Sequence, residues 1–144
     1  MPAHFADPTI QGLLAGKDVV VLATVQKNGA PLAMPMWFWA DTEHLYMLSV
    51  DATQKVRNLQ RDRRVCVVAE SGTRGAEIRG VTVQGHTEFL ERPEVYEPIV
   101  AQLLRKYDPH LETLWGGTRK PANRVIFRLV PDQVHSWGFA GGDL

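Results

Sequence analysis

The hydrophobic positions at the start of the chain follow a helical period. In the segment "DPTIQGLLAG", Ile10 and Leu14 are four residues apart, Asp7 stands where an N-cap is expected, and Pro8 takes the first helical position. Gly16 follows the last apolar residues, as a glycine often does at a helix C-terminus. The pattern predicts a short helix that begins at Pro8 and ends before Gly16.

Farther along the chain, the pattern becomes that of β-strands. The segments "KDVVVLATVQ" and "PLAMPMWFWAD" predict two strands, and the Asn-Gly pair of "KNGA" between them predicts a tight hairpin turn. "HLYMLSV" predicts a third strand, and "RRVCVVAE", apolar on both faces, predicts a central one. "EIRGVTVQGHTEFLE" predicts a long strand with bends or bulges at Gly80 and Gly85, and "NRVIFRLVPDQVHSW" predicts one or two more.

One long segment near the middle of the chain again has helical spacing. In "RPEVYEPIVAQLLRKYD", Val95, Ile99 and Leu103 form one stripe, which predicts an amphipathic helix packed on the sheet. Pro98 is expected to delay the start of this helix, because proline removes a backbone donor.

The order of these elements predicts the fold class. Six or seven mostly antiparallel strands with only three helices predict a mostly β (β+α) fold, a small β-barrel with a few covering helices, because closure removes exposed sheet edges. A doubly wound parallel sheet would need a helix after almost every strand. No linker or repeat divides the sequence, so we expect a single domain over residues 1–144.

The composition excludes several classes of function. The 144 residues are 44% hydrophobic and 22% charged, with 16 basic and 16 acidic side chains, as in an ordinary soluble protein. A net charge near zero gives no long-range attraction to nucleic acid or to a membrane surface, so any anion must be recognised locally. Cys66 has no disulfide partner and is expected to be a buried packing residue. With no leader or membrane span recognised, a cytoplasmic location is expected.

Self-sufficient catalytic chemistry is missing from the sequence. The five histidines are scattered without the close spacing of a metal site, and no nucleophile elbow, phosphate-binding loop or dinucleotide fingerprint is found. We therefore assign no catalytic side chain and no metal ligand, and expect a bound cofactor to supply the reactive group.

The segment "DATQKVRNLQRD" is the first candidate binding site. On a helix, Val56 and Leu59 point inward while Lys55 and Asn58 share another face. The first turn offers free N–H groups and Thr53 adds a hydroxyl, which together suit a phosphate. In the alternative, Asp51 caps the helix, Gln54 completes a capping box, and the basic residues form a solvated face.

The segment "MPMWFWA" is the second candidate. Pro35 interrupts the hydrogen-bonding ladder, and the alternation puts Met36 and Phe38 on one face and Trp37 and Trp39 on the other. Aromatic and thioether side chains beside an interrupted strand suit a flat heteroaromatic ring. In the alternative, these residues belong to the core and a dimer interface. One strand and a turn separate the two candidates, so we expect them to be neighbours, as a flavin-like nucleotide requires.

Together, these segments resemble the pyridoxamine 5′-phosphate oxidase-like split β-barrel superfamily, in particular its flavin and deazaflavin oxidoreductases. The resemblance is carried by "VVVLATVQKNGAPLAMPMWFWAD", "HLYMLSVDATQKVRNLQRDRRVCVV" and "VTVQGHTEFLE", and most specifically by the K-x-R-N-L-x-R-D run from Lys55 to Asp62. It implies a split barrel and a homodimer that holds coenzyme F420 or FMN at two interface sites.

Carried over position by position, the resemblance implies a set of cofactor-binding residues. The cofactor phosphate would be held by Thr53, Lys55 and Asn58, with Gln54 beside them. The cofactor ring would lie along Pro35, Met36 and Trp37, with Ser49 and Val50 lining the strand end below it. Arg57 points away from Lys55 and is expected to be structural. The oligoglutamate tail of F420 would be within reach of Arg119 and Lys120, for which a simple surface loop is the alternative.

The expected activity also follows from the resemblance. It is the transfer of hydride from reduced F420 to a small electron-poor organic acceptor. The alternatives are an FMN-dependent oxidoreductase and a non-catalytic carrier of F420, FMN or haem. Oxidation of pyridoxamine phosphate is disfavoured, because Gly80 stands where vitamin-B6 oxidases carry a polar residue and their C-terminal arginine segment is missing.

Overall fold

A computed structural model describes residues 2–139 as eight strands and four α-helices. The strands are β1 (Pro2–Ala3), β2 (Val20–Val25), β3 (Pro31–Met36), β4 (Phe38–Ala40), β5 (Leu45–Val50), β6 (Arg64–Ser71), β7 (Arg79–Leu90) and β8 (Arg124–Trp137). The helices are α1 (Pro8–Ala15), α2 (Gln54–Arg61), α3 (Pro93–Lys106) and α4 (His110–Trp115), and Gly75–Glu77 form a 3₁₀ turn. Residues 1 and 140–144 lie outside the described part, so the single domain over 1–144 stays a prediction.

Seven strands form one curled antiparallel sheet in the order β3-β2-β6-β7-β8-β5-β4, and β1 adds to the edge of β8. The first and last strands of this order, β3 and β4, are joined in the chain by Trp37 alone. Because one residue cannot span an open sheet, the sheet must curl until its two ends meet at Trp37. The predicted fold class, a mostly β split barrel with covering helices, is confirmed.

The two ends of the sheet meet without forming a ladder, which is the split in the barrel. The gap is bridged by Tyr107, the residue that follows α3, whose hydroxyl contacts Phe38 of β4 and the backbone of Asp18 just before β2. The predicted single strand "PLAMPMWFWAD" is therefore wrong in one respect: it is divided at Trp37, where the chain changes its partner strand from β2 to β5.

The helices differ from expectation in two places. The helix α3 begins at Pro93, and Pro98 lies inside it rather than delaying its start. Since the Pro98 position is exposed, the carbonyl that loses its helical partner there can be solvated. The short helix α4 was not predicted. No helix within residues 2–139 combines the length and the apolar composition needed to cross a membrane.

The inward face of the curled sheet forms the main core. Its fully buried side chains include Leu22, Phe38, Met47 and Phe127, and α1 covers one end with Ile10 and Leu14. The bulge predicted at Gly85 is found, with its extra residue on the facing strand: Gln84 pairs with Gln133 but Gly85 pairs with Pro131, which leaves one extra residue in β8. At Gly80 the register with both neighbouring strands is regular, so no bulge occurs there. On the outer face, α3 and α4 pack over β4 and β5 with a second set of apolar residues.

Candidate functional site

The start of α2 has an unusual cap. Thr53 is the N-cap residue, but its side chain accepts no hydrogen bond from the helix. Its hydroxyl instead donates to the Val50 carbonyl at 2.9 Å and lies 3.2 Å from the Ser49 hydroxyl. The alternative prediction, with Asp51 as cap and Gln54 in a capping box, is wrong. The amides of the first turn of α2 are therefore left without a side-chain acceptor.

Lys55 adds a positive charge to this helix start. Its side chain is half-buried, and the loss of hydration lowers the pKa of its ammonium group. Within residues 2–139 this ammonium forms neither an ion pair nor a hydrogen bond. A partly desolvated cation beside free amides at the positive end of a helix dipole is suited to bind a phosphate group.

Asn58 lies below this surface rather than on it. Its side chain is fully buried, donates to the Thr24 hydroxyl at 3.0 Å, and accepts from the Gln54 amide at 2.9 Å. Thr24, on β2, is also buried. The family resemblance implied a direct phosphate contact for Asn58, but in the single chain Asn58 has no accessible surface. It can act on a ligand only by holding Gln54 and α2 in place.

The arginines of α2 are exposed, and each also donates a hydrogen bond to a backbone carbonyl. Arg57 donates to the carbonyl of Ala52 at 3.1 Å, which fixes the loop before the helix, as expected of a structural residue. Arg61 donates to the carbonyl of Val25 and so ties the end of α2 to β2. The helix is anchored at both ends, and Lys55 remains the cation at its N-terminal turn.

The second candidate lies in a wedge between β3 and β5. Phe38 pairs with Met47, so the same register continued backward would place Trp37 opposite Leu48 and Met36 opposite Ser49. The chain departs from β5 there, because Met36 pairs with Val20 of β2. The facing edges of β3 and of the end of β5 are thus left without a strand between them. Since β5 leads through Val50 to Thr53, this wedge opens toward the start of α2.

The side chains along β3 point in different directions. Met36 is buried in the core, so only its backbone faces the wedge, whereas Pro35 is exposed. Trp37 stacks on Tyr107 with ring centroids 4.3 Å apart and planes inclined by 5°. One face of the indole is therefore already covered, by a residue that the sequence reasoning missed because it lies 70 positions away.

A cationic cleft lies beside these elements. It has a volume of about 440 Å³, and its charged lining residues are Arg63, Glu91, Lys120 and Arg124. Arg124 pairs with Val50, so the cleft begins next to the strand that leads into α2. The Lys120 ammonium donates to the carbonyl of Arg124 at 2.8 Å and lies over the Tyr96 ring, 5.0 Å from its centroid. Arg119 is exposed in an adjoining cleft that also contains Lys120.

No group of three or more His, Cys, Asp or Glu residues within the described chain is arranged to hold a metal ion. The structure instead combines three features: the N-terminal turn of α2, which can bind a phosphate, the wedge between β3 and β5 with its free strand edges, and the cationic cleft. These features suit binding of an extended anionic cofactor.

Comparison with known proteins identifies relatives. The family model for pyridoxamine 5′-phosphate oxidase matches residues 6–138. No curated protein matches the sequence. The structure is similar to that of a conserved hypothetical protein from Mycobacterium tuberculosis, with a TM-score of 0.78 and 26% identity over 91% of this chain and 83% of that one.

Two other solved structures are similar. A protein described as an F420 reductase has a TM-score of 0.65 and 26% identity, over 87% of this chain and 94% of that one. The haem storage protein HutZ from Vibrio cholerae has a TM-score of 0.75 and 21% identity, over 90% of this chain and 93% of that one. At that lower identity, the second likeness shows the fold alone.

Proposed function

Because the chain belongs to the pyridoxamine 5′-phosphate oxidase family, as its sequence predicted, we propose that it is an oxidoreductase that uses coenzyme F420. In this proposal, hydride passes from the reduced cofactor to a small electron-poor organic acceptor. The predicted residues proposed to contact the cofactor are Pro35, Met36 (through its backbone), Trp37, Ser49, Val50, Thr53, Gln54 and Lys55. The buried Asn58, also in the predicted set, acts indirectly by holding Gln54 and α2 in place.

The start of α2 is the observation that carries the proposal. Thr53 leaves the first-turn amides uncapped, and the half-buried Lys55 ammonium has no partner within the described residues. Uncapped amides and a desolvated cation are both costly unless an anion or water satisfies them. A cofactor phosphate satisfies both at once, with charge-assisted hydrogen bonds.

The wedge between β3 and β5 suits the ring system of the cofactor. Its edges present backbone N–H and C=O groups, with which a heteroaromatic ring can form hydrogen bonds, and Pro35 contributes no N–H. Trp37 forms an apolar wall that is held rigid by its stack on Tyr107. When bound, reduced F420 supplies the hydride; the residues of the chain bind the ring, orient it and exclude water.

The cationic cleft favours F420 over FMN. FMN ends at its phosphate, whereas F420 continues into an anionic oligoglutamate tail. Arg63, Lys120 and Arg124 line the cleft beside Val50, and only Glu91 among its lining residues opposes their charge. The similarity to a protein described as an F420 reductase supports the same choice.

We also propose that the protein is a homodimer. The outer face of three adjacent strands is apolar: Pro35, Val21 and Val68 lie side by side in register, and Val21 is 38% exposed. Cys66, expected to be buried, is only half-buried on this face. A second copy of the chain would cover these residues and complete the cofactor site from its own side.

Ligand titration followed by tryptophan fluorescence tests the proposed function, because Trp37 borders the wedge. We expect F420 to quench the fluorescence more effectively than FMN does, and removal of the oligoglutamate tail to weaken F420 binding. The acceptor assay then follows the loss of reduced F420 in the presence of a panel of enones and quinones.

The outcomes separate the proposal from its rivals. Tight FMN binding without a response to F420, or a protein that purifies yellow, would favour an FMN-dependent oxidoreductase. Binding of F420 or haem without reduction of any acceptor would favour a carrier. The proposal of a cofactor site at α2 fails if neither F420 nor FMN binds.

A further inference from the structure

A separate cavity lies where the split of the barrel is covered by helices. It has a volume of about 280 Å³ and is enclosed by α1, the C-terminal turn of α3, and β4. The apolar part of its wall consists of Leu14, Ala15, Phe38, Trp39 and Ala40, and the polar part of Gln11, Gln102, Arg105 and Lys106. None of the nine predicted cofactor residues lines it.

Lys106 dominates the chemistry of this cavity. Its ammonium nitrogen lies 3.5 Å from the centroid of the Phe38 ring and 5.4 Å from that of Tyr107. The Phe38 ring is almost completely buried, so the ammonium reaches down to the core rather than out to solvent. Burial lowers the pKa of Lys106 to about 8, although the negative charge of Asp18 acts to raise the pKa.

The charges around the cavity are not balanced. Lys106 forms no ion pair with a carboxylate within residues 2–139, and Asp18 acts on it only at longer range. Arg105 donates to Gln102 and likewise has no acidic partner in the described chain. Two cations and two amides therefore line the cavity together with no carboxylate. A desolvated ammonium without a counter-ion is unfavourable, and an anionic ligand would relieve it.

We propose that this cavity is a binding site for a small organic carboxylate with an apolar body. The carboxylate would pair with the Lys106 ammonium, within reach of Arg105, and the apolar body would lie against Phe38 and Leu14. The cavity volume of about 280 Å³ lies just below the usual range of ligand sites, about 300 to 1,000 Å³, so the ligand is a single ring or a short chain rather than a nucleotide. The inference is independent of the cofactor proposed above.

Benzoate is a suitable probe of this site, and benzamide is its neutral counterpart of nearly the same shape. Binding of each to the full chain is measured by calorimetry and by the fluorescence of Trp39, which lines the cavity. We expect benzoate to bind at least about tenfold more tightly than benzamide, because only benzoate can pair with Lys106. Saturating FMN or F420 should leave the affinity for benzoate unchanged.

Two variants make the test specific. Lys106→Met keeps most of the apolar stem and removes the charge, and should lower the benzoate affinity to the level of benzamide. Lys27→Met, on the exposed β2–β3 turn, is the matched control and should bind as the unmodified protein does. If Lys106→Met does not fold, Ala15→Leu decides instead, since it narrows the cavity from an exposed helix position and should weaken both probes.

Several results would overturn the proposal. In the first, benzoate does not bind at millimolar concentration, and Lys106 is then only a structural cation over Phe38. In the second, benzoate and benzamide bind equally, or folded Lys106→Met binds benzoate as the unmodified protein does. In the third, benzoate competes with FMN or F420, which would place it in the cofactor site. Benzoate binding that is unaffected in Ala15→Leu would also contradict the proposed location.

Discussion

The hydroxyl of Tyr107 accepts a hydrogen bond from the backbone N–H of Phe38, with an N–O distance of 2.8 Å. The single proton of the same hydroxyl is shared between two carbonyl oxygens, that of Asp18 at 2.8 Å and that of Phe38 at 2.9 Å. Phe38 is the first residue of β4, at one end of the sheet, and Asp18 precedes β2, near the other end. A side chain thus satisfies the backbone groups that the split leaves without a neighbouring strand.

Tyr107→Phe tests the importance of this bridge. The change leaves the buried N–H of Phe38 without an acceptor, and should lower the free energy of unfolding by about 1–3 kcal/mol. Urea-induced unfolding measures the loss. Tyr96→Phe is the matched control, because no protein hydrogen bond of the Tyr96 hydroxyl is found in the described structure. Equal stability of the two variants would contradict the bridging role.

The buried tyrosines also predict a loss of stability in alkali. Burial raises the pKa of Tyr107 and of Tyr46 from 10.0 to about 12, and in Tyr46 the neighbouring Asp41 adds to the effect. Between pH 10 and 12, the folded state therefore keeps the phenolic protons of these two tyrosines, whereas the unfolded state loses them. Their stabilising effect is complete below pH 10 and is lost as the pH rises toward 12.

Unfolding free energies measured in urea between pH 10 and 12 check this prediction. The free energy should fall through this range, and the fall should be shallower in Tyr107→Phe, which has one such group fewer. A pH dependence identical to that of the unmodified protein would show that Tyr107 ionises equally easily in both states.

Local patterns predicted most of the fold. The short helix α1 begins and ends where Asp7 and Gly16 indicated, and Asp7 caps it through the N–H of Thr9. The break at Trp37 was not predicted, because the alternation of inward and outward side chains continues through it: Met36 and Phe38 both point into the core. The alternation of apolar and polar residues predicts which face of the sheet a side chain occupies. It does not predict which strand the chain pairs with, and at Trp37 the pairing partner changes from β2 to β5.

The candidate site was predictable to a smaller extent. The helix at Lys55 and its inward residues follow from local spacing. The burial of Asn58 does not, because its partner Thr24 is 34 positions away, and only the packing of α2 on β2 brings them together. The stack of Trp37 on Tyr107 is equally non-local. Sequence spacing assigns a residue to a face of its own helix, but the tertiary structure decides what covers that face.

Asn58→Ala should be more destabilising than Gln54→Ala. Removing the buried amide leaves the Thr24 hydroxyl without its donor, at a cost of about 1–3 kcal/mol in the free energy of unfolding. Gln54 is exposed, so its truncation opens the amide oxygen of Asn58 to solvent, and water can replace the lost hydrogen bond. Urea unfolding of both variants gives the comparison, and similar losses would mean that Asn58 is not the structural anchor of α2.

Val21→Glu tests the proposed homodimer. A buried, unpaired carboxylate at the centre of an apolar interface is strongly unfavourable, so the variant should be monomeric by light scattering. Leu114→Glu, which replaces an apolar residue that is 67% exposed on α4, is the matched control and should keep the mass of the unmodified protein. A dimer that survives Val21→Glu but not Leu114→Glu would place the interface on the helical side instead.

Lys55→Met tests the phosphate contact directly. The change removes the ammonium and keeps most of the stem, so it should weaken the binding of F420 or FMN by about 1.5–3 kcal/mol. Riboflavin and the phosphate-free deazariboflavin should bind Lys55→Met and the unmodified protein equally, because they have no phosphate to lose. Tryptophan quenching gives the dissociation constant of each ligand for both proteins, and Lys27→Met controls for the loss of one positive charge. An equal loss of affinity for phosphorylated and phosphate-free ligands would show that Lys55 supports the fold of the site. Unchanged affinity for both kinds of ligand would show that the phosphate binds elsewhere.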